Sequence, residues 1–239
     1  MRTVAIVQAR MGNTRFPGKN GKMLMGKPQI WYVLDRVLKA KSYEEVLLAI
    51  PYESNGGIQI DAARSLGVET LVYRGNPNDL VHRYAIGADI MDADIVVRIP
   101  GDNTFIDPDE IDRIVSHYNA DPAPWNWLTT NLDRDVLGNG YPAGLGAEVY
   151  DVRFLNWLDR NVYAKAHREH PHKWAFDNRH VRTIQAPEGL RRPDLSLSVD
   201  TENDWEMTKR IYHALYPDNP DFRARDILKF LGEQEWPTI

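Results

Sequence analysis

Three cations fall within ten residues near the amino terminus, at Arg10, Arg15 and Lys19, in the loop Gln8-Ala9-Arg10-Met11-Gly12-Asn13-Thr14-Arg15-Phe16-Pro17-Gly18-Lys19. Glycine lets backbone N–H groups approach a ligand closely. Arginine forks and lysine point charges both pair with phosphate oxygens. The chemistry such a loop suits is the cradling of a polyphosphate. Its spacing matches neither the P-loop nor the G-x-G-x-x-G fingerprint. A solvated basic loop has the same composition, so the residues alone leave both readings open.

Two carboxylates stand in similar surroundings. In Arg98-Ile99-Pro100-Gly101-Asp102-Asn103-Thr104-Phe105-Ile106-Asp107-Pro108, Asp102 follows an apolar run and a turn. A carboxylate there can hold a hard cation against phosphate oxygens. In Ser198-Val199-Asp200-Thr201, Asp200 follows another apolar run, and Thr201 has the type and place of a helix N-cap. Ordinary turn chemistry is the plainer alternative for Gly101-Asp102, and capping for the second segment. As a pair, Asp102 and Asp200 could position Mg2+. His167, Arg168, His170, His172 and Lys173 form a third cluster. It suits an anion, or a solvated helix end. Zinc would need a fourth ligand beside the three histidines, and none is evident.

The elements that must carry these loops alternate strand and helix. Val4 to Val7, Val46 to Ile50, Thr70 to Tyr73 and Ile95 to Ile99 read as strands. Helices are expected from Pro28, over Ile58 to Leu66, over Pro77 to Met91 and from Pro108. That order predicts an α/β fold, a mostly parallel sheet with helices on both faces. Ligands of such sheets bind beyond the carboxyl ends of the strands, where the first two loops fall. The pattern breaks after Asp121. An irregular insertion, lid or dimerisation segment is expected at about 122–150, within one domain spanning 1–239. Ala147 to Tyr150 suggests a strand, with a helix around Phe154 and Leu158 behind it. A late strand is expected over Leu195 to Val199, then helices over Thr201 to Tyr216 and Arg225 to Leu231. Trp125, Trp127, Trp157, Trp174 and Trp205 read as core or interface residues, not as base-stacking platforms.

Composition narrows the classes. The 239 residues are 43% hydrophobic and 26% charged, which belongs to a globular protein and excludes wholesale disorder. With 29 Lys+Arg against 34 Asp+Glu, the net charge of -5 disfavours a nucleic-acid partner. There is no cysteine, so thiol catalysis, thiolate metal sites and disulfides are excluded. The apolar start meets Gln8 too early for a secretory leader, and no run approaches the ~20 apolar residues of a membrane span. The expectation is a cytoplasmic protein without a membrane partner.

Taken together, the three loops resemble the bacterial cytidylyltransferases related to the spore-coat protein SpsF, and more distantly the CMP-sugar synthetases that activate acidic keto-sugars. The first loop is similar to Q-A-R-M-G-S-T-R-L-P-G-K, differing at Asn13 and Phe16. The similarity continues at Gly26 to Pro28, Arg74 to Tyr84, Arg98 to Pro108, Tyr141 to Glu148, Arg168 to His170 and Leu197 to Asp204.

The resemblance implies a Rossmann-like nucleotide-diphospho-sugar transferase fold. It implies CMP transfer from CTP to an acceptor, with release of pyrophosphate and with Mg2+. It puts Arg10, Arg15 and Lys19 on the triphosphate, within a nucleotide site of Gln8, Ala9, Met11, Gly12, Arg74, Asp79 and Gly101. Asp102 and Asp200 would place the metal. Arg10, Lys19 and the two aspartates would be the catalytic set.

Tyr141, Glu148, Arg168, His170 and Lys173 would line the acceptor pocket. The family pattern Y-P-D-G-L-D-V-E keeps here only its last acid, Glu148, with Ala143 and Gly146 replacing the others. Loss of two acids favours an anionic acceptor: an acidic sugar, a phosphonate or a phosphate compound. The context would be surface polysaccharide or related biosynthesis. A homodimer is expected, through Pro122 to Pro142. A glycosyltransferase using a nucleotide-sugar donor is the alternative on a related fold.

Overall fold

In the computed structural model, residues 1–12, 14–52, 56–120, 128–131 and 138–233 are described. Val4, Ala5, Ile6 and Val7 are wholly buried in β1 (Thr3–Gln8), as an apolar run with no polar face requires. A short hairpin of β2 (Met23–Leu24) and β3 (Lys27–Pro28) leads into α1 (Gln29–Val37). Then come β4 (Glu45–Pro51), α2 (Gly57–Ser65), β5 (Glu69–Tyr73), α3 (Leu80–Ile90), β6 (Ile95–Pro100) and α4 (Pro108–Ala120). Next are β7 (Leu128–Thr130), β8 (Glu148–Asp151), α5 (Val152–Asn161), α6 (Lys165–Glu169), α7 (Pro171–Asp177) and β9 (Arg182–Thr183). The long helix α8 (Glu202–Leu215) and α9 (Ala224–Gly232) complete the described elements.

Seven strands form one sheet in the order β5-β4-β1-β6-β8-β7-β9. β1 lies between β4 and β6, parallel to both, with Ala5 level with Val46 and Val97. Only β8 runs against its neighbours. Successive β1 side chains enter opposite layers. Ala5 and Val7 pack with Ile30 and Val33 of α1 and Ile111 and Ile114 of α4. Val4 and Ile6 pack with Val81 and Tyr84 of α3 and Phe154 and Leu158 of α5. This is the expected α/β arrangement, mostly parallel and covered on both faces.

Two expectations need correction. Leu195 to Val199 is not a strand of the sheet. It is extended chain, tied to Ala143 by Ala143 N–H to Leu195 O at 2.9 Å and Leu197 N–H to Ala143 O at 2.7 Å, a single bridge. Helix α3 starts at Leu80, not Pro77, because residues 76–79 form a turn and Asp79 is the N-cap, accepting from His82 N–H at 3.1 Å. Much of the expected insertion and dimerisation segment, residues 121–127 and 132–137 with Trp125 and Trp127, lies outside the described residues. No helix among the described residues is long and apolar enough to cross a membrane.

Candidate active site

The loops after β1 and β6 leave the sheet side by side, and glycine lets them meet. A Cβ on Gly101 would stand 2.5 Å from the Gln8 carbonyl oxygen, which accepts the Gly101 N–H at 2.7 Å. Asn20 adds a bond from its side-chain amide to the Gly101 carbonyl at 2.6 Å. Val199 N–H then donates to Asp102 O at 3.1 Å, bringing the Asp200 segment against the same loop. Thr201 caps α8 in a reciprocal capping box with Asp204, and Asp204 also accepts the Asp200 N–H at 2.9 Å. The helix start thus fixes the Asp200 backbone.

Lys19 lies where these loops converge. Its ammonium is 3% exposed and donates to Asp102 Oδ2 at 2.8 Å, Val199 O at 2.7 Å and Asp200 Oδ1 at 3.0 Å. An ammonium has three N–H donors, so all are used. The two carboxylates keep about 30% of their surface open, 31% for Asp102 and 27% for Asp200. Arg15 also reaches Asp200 Oδ1, at 3.0 Å. Arg10 donates to Asn78 Oδ1 at 2.6 Å and lies 3.5 Å from Glu169 Oε1.

An open cavity of roughly 360 Å³ runs over this ground, beyond the carboxyl ends of β1 and β6. Among the expected residues, Gln8, Ala9, Arg10, Arg15, Lys19, Gly101, Asp102, Asp200 and His170 line it. Others stand elsewhere. Met11 turns its side chain toward Gly18 and Gly21, and Gly12 is not part of the wall. Arg74 lies over the Tyr52 ring, 4.2 Å from its centre. Asp79 is the α3 cap and accepts Arg168 Nε and Nη2 at 2.9 and 2.7 Å.

The expected acceptor wall changes most. Arg168 is spent on Asp79 and Asp159, each 2.7 Å from Nη2. Lys173 faces Asp177 at 4.0 Å. Tyr141 is wholly buried and donates to Glu110. Glu148 is also fully buried, beneath the cavity. It accepts from Arg98 at 2.7 Å and from Tyr150 at 2.6 Å, and its other oxygen lies 2.8 Å from His172 Nδ1. Burial alone would raise the Glu148 pKa, but Arg98 and His172 hold it well below the ordinary range. Glu148 therefore supports Arg98 and His172, and those two reach the cavity wall.

Arg98, Arg83 and Asn20 are wall residues to which the sequence reading gave no role, and His172, one of the basic cluster expected to face an anion, joins them there. Arg98 carried a signal: a charge inside the apolar run Ile95-Val96-Val97-Arg98-Ile99 must find a buried partner. Among the described residues no group of three or more metal-binding side chains occurs.

The mostly parallel sheet, with a cation-lined cavity over its central strand ends, has the nucleotide-diphospho-sugar transferase-like fold. A family model described as Cytidylyltransferase matches residues 4–218, and the chain belongs to that family of nucleotidyltransferases. It is 24% identical over 229 residues to the spore coat polysaccharide biosynthesis protein SpsF of Bacillus subtilis, covering 95% of this chain and 92% of that one. Among solved structures it is similar to a cytidylyltransferase from Leptospira borgpetersenii, with a TM-score of 0.87 and 24% identity over 98% of this chain and 94% of that one. A CMP:2-keto-3-deoxy-manno-octonic acid synthetase complexed with CTP gives a TM-score of 0.68 and 18% identity, covering 90% and 99%.

Proposed function

We propose that this cavity carries transfer of CMP from CTP to an acidic small-molecule acceptor, a sugar acid, a phosphonate or a phosphate compound, with release of pyrophosphate. The observation that carries the reading is the convergence of Asp102 and Asp200 on one buried ammonium at the edge of a cation-lined cavity. An acceptor oxygen attacks the α-phosphorus as the bond to pyrophosphate breaks. Such a transfer needs charge neutralisation and alignment, not a protein nucleophile.

Arg10 and Arg15 are half-exposed or exposed and can exchange their present partners for phosphate oxygens. Lys19 has no N–H to spare, so its role is to hold the two carboxylates in register. Asp102 and Asp200 present hard oxygen donors, part open to the cavity, and this donor set fits Mg2+ completed by phosphate oxygens and water. When bound there, the ion supplies neutralisation of the phosphate charge that builds on the leaving pyrophosphate.

The acceptor takes the side lined by Ala143, Gly144, His170 and His172. Ala143 adds no negative charge there. A carboxylate in its place would repel an anionic acceptor by about 1 kcal/mol or more, depending on local dielectric. Two likenesses support the reading: one related structure is a complex with CTP, and the SpsF relative is named for spore coat polysaccharide biosynthesis. The test is pyrophosphate release with Mg2+, each of CTP, UTP, ATP and GTP, and a panel of acidic and neutral acceptors. Release with CTP and an acidic acceptor is expected. Equal use of all four nucleotides, or preference for neutral sugars, contradicts the proposal.

A further inference from the structure

Arg83 projects from α3 into the cavity wall although only 1% of the residue is exposed. A guanidinium carries five N–H donors. Among the described residues Arg83 donates one hydrogen bond, to the Pro77 carbonyl, and its buried Nε has no partner. No carboxylate of the described residues lies within ion-pair distance. The nearby acid, Asp79, is already held by two nitrogens of Arg168, at 2.9 and 2.7 Å. The Tyr73 ring, with its centre 5.5 Å away, gives a neutral contact only. Burial foremost lowers the Arg83 pKa from the usual arginine value, against the opposing effects of Tyr84 and Tyr73; Arg10 adds a smaller lowering, and Asp79 opposes it least.

Arg98, the other buried arginine of this wall, is neutralised by Glu148 at 2.7 Å. Arg83 has no such counter-ion. Burying an unpaired charge is costly, and an apolar residue of similar volume would fold as well or better. The cost makes sense where a ligand brings the missing charge. The arginine fork is built for the oxygens of phosphate. Arg10 and Arg83 line the same cavity and repel one another, and an anion beside both relieves the repulsion.

We propose that Arg83 is a substrate-binding residue whose counter-ion is a phosphoryl oxygen of the bound nucleotide. The assignment rests on the CTP reading given above and adds to it a residue outside the first loop.

The test is calorimetric binding of CTP and of cytidine, with Mg2+, to the wild type and to Arg83→Met, together with thermal unfolding of both proteins without ligand. CTP affinity is expected to fall at least about tenfold, the scale of one lost charge-assisted hydrogen bond. Cytidine affinity should not change, and the melting temperature should be equal or higher. Arg83→Lys, which keeps charge but loses the fork, should give a smaller loss for CTP and serves if the methionine variant does not fold. Unchanged CTP affinity overturns the proposal. So does an equal loss for CTP and cytidine with a lowered melting temperature, which marks a structural arginine. A wild type that binds no CTP overturns the functional reading itself, and Arg83's role with it.

Discussion

The ammonium of Lys19 joins Asp102 and Asp200, 2.8 Å from one carboxylate and 3.0 Å from the other. Residues 83 and 181 positions away in the chain thereby become one unit. A lysine in a basic loop reads as a ligand for phosphate. In the structure all three of its donors go to protein acceptors, two of them the carboxylates themselves.

That junction can be tested with metal alone. Lys19→Met leaves Asp102 and Asp200 facing each other without their shared cation. Binding of Mn2+ in the absence of nucleotide, followed by electron paramagnetic resonance, should tighten, since two adjacent carboxylates attract a divalent ion more strongly once the ammonium is gone. Turnover should fall. Unchanged Mn2+ binding with a raised KM for CTP and an intact kcat would make Lys19 a phosphate ligand after all.

Glu148 supplies a pH dependence. Its pKa in the folded protein is pulled well below the ordinary 4.5 by Arg98 and His172, against burial. A lowered carboxylate value stabilises the fold fully above the unfolded value and loses that contribution as pH falls through the folded one. Glu148→Gln leaves Arg98 buried without its partner. It should cost about 3–5 kcal/mol at pH 7 in urea unfolding. The gap between the two proteins should narrow as pH falls below ~4.5, where the unfolded wild-type carboxylate takes up a proton that the folded one does not yet bind. A gap that stays constant down to pH 3 would rule out this charge pairing as its source.

Gly144 marks a close passage of two chain segments at the cavity edge. Its φ is +91°, and an added Cβ would lie 2.4 Å from the backbone between Leu197 and Ser198. Gly144→Ala should therefore destabilise the protein by about 2 kcal/mol or more, through both left-handed strain and the clash. Thermal unfolding reads the loss, and an unaltered melting temperature would contradict the geometry.

Arg168 separates stability from recognition. It ties the α3 cap Asp79 to Asp159 of α5 and does not line the cavity. Arg168→Ala should cost about 1–3 kcal/mol of stability by removing the cation that Asp79 and Asp159 share. The KM values for CTP and acceptor should stay within a few-fold of wild type. A large rise in acceptor KM with unchanged stability would restore Arg168 to the acceptor wall.

The fold was largely legible because its signals are local. The apolar runs at Val4 to Val7 and Ile95 to Ile99 gave central strands, and Pro108 gave the start of α4. Residue type singled out Arg10, Arg15, Lys19, Asp102 and Asp200, and the structure brings these five to one cavity. What sequence could not supply is the direction in which a charged side chain turns. Arg168, Lys173 and Glu148 had suitable types, but nearby acids and bases captured them. His172 stood in the basic cluster, but nothing in the sequence separated it from Arg168 and Lys173, and Arg83 stood within the similar stretch Arg74 to Tyr84 with no feature of its own to mark it. The extended stretch Leu195 to Val199 has the apolar content of a strand, but it makes a single bridge and belongs to no ladder.

The most direct test of the account is CTP-dependent pyrophosphate release by Asp200→Asn, with Mg2+ and whichever acidic acceptor the wild type uses. The substitution keeps size and most hydrogen-bonding capacity and removes one of the two charges on which the site is built. Turnover should drop at least about a hundredfold, the scale of losing one preorganised electrostatic contact in a transition state, while the melting temperature shows the protein still folded. Turnover within a few-fold of wild type in the folded variant would contradict the placement of the metal and of the reaction at Asp102 and Asp200.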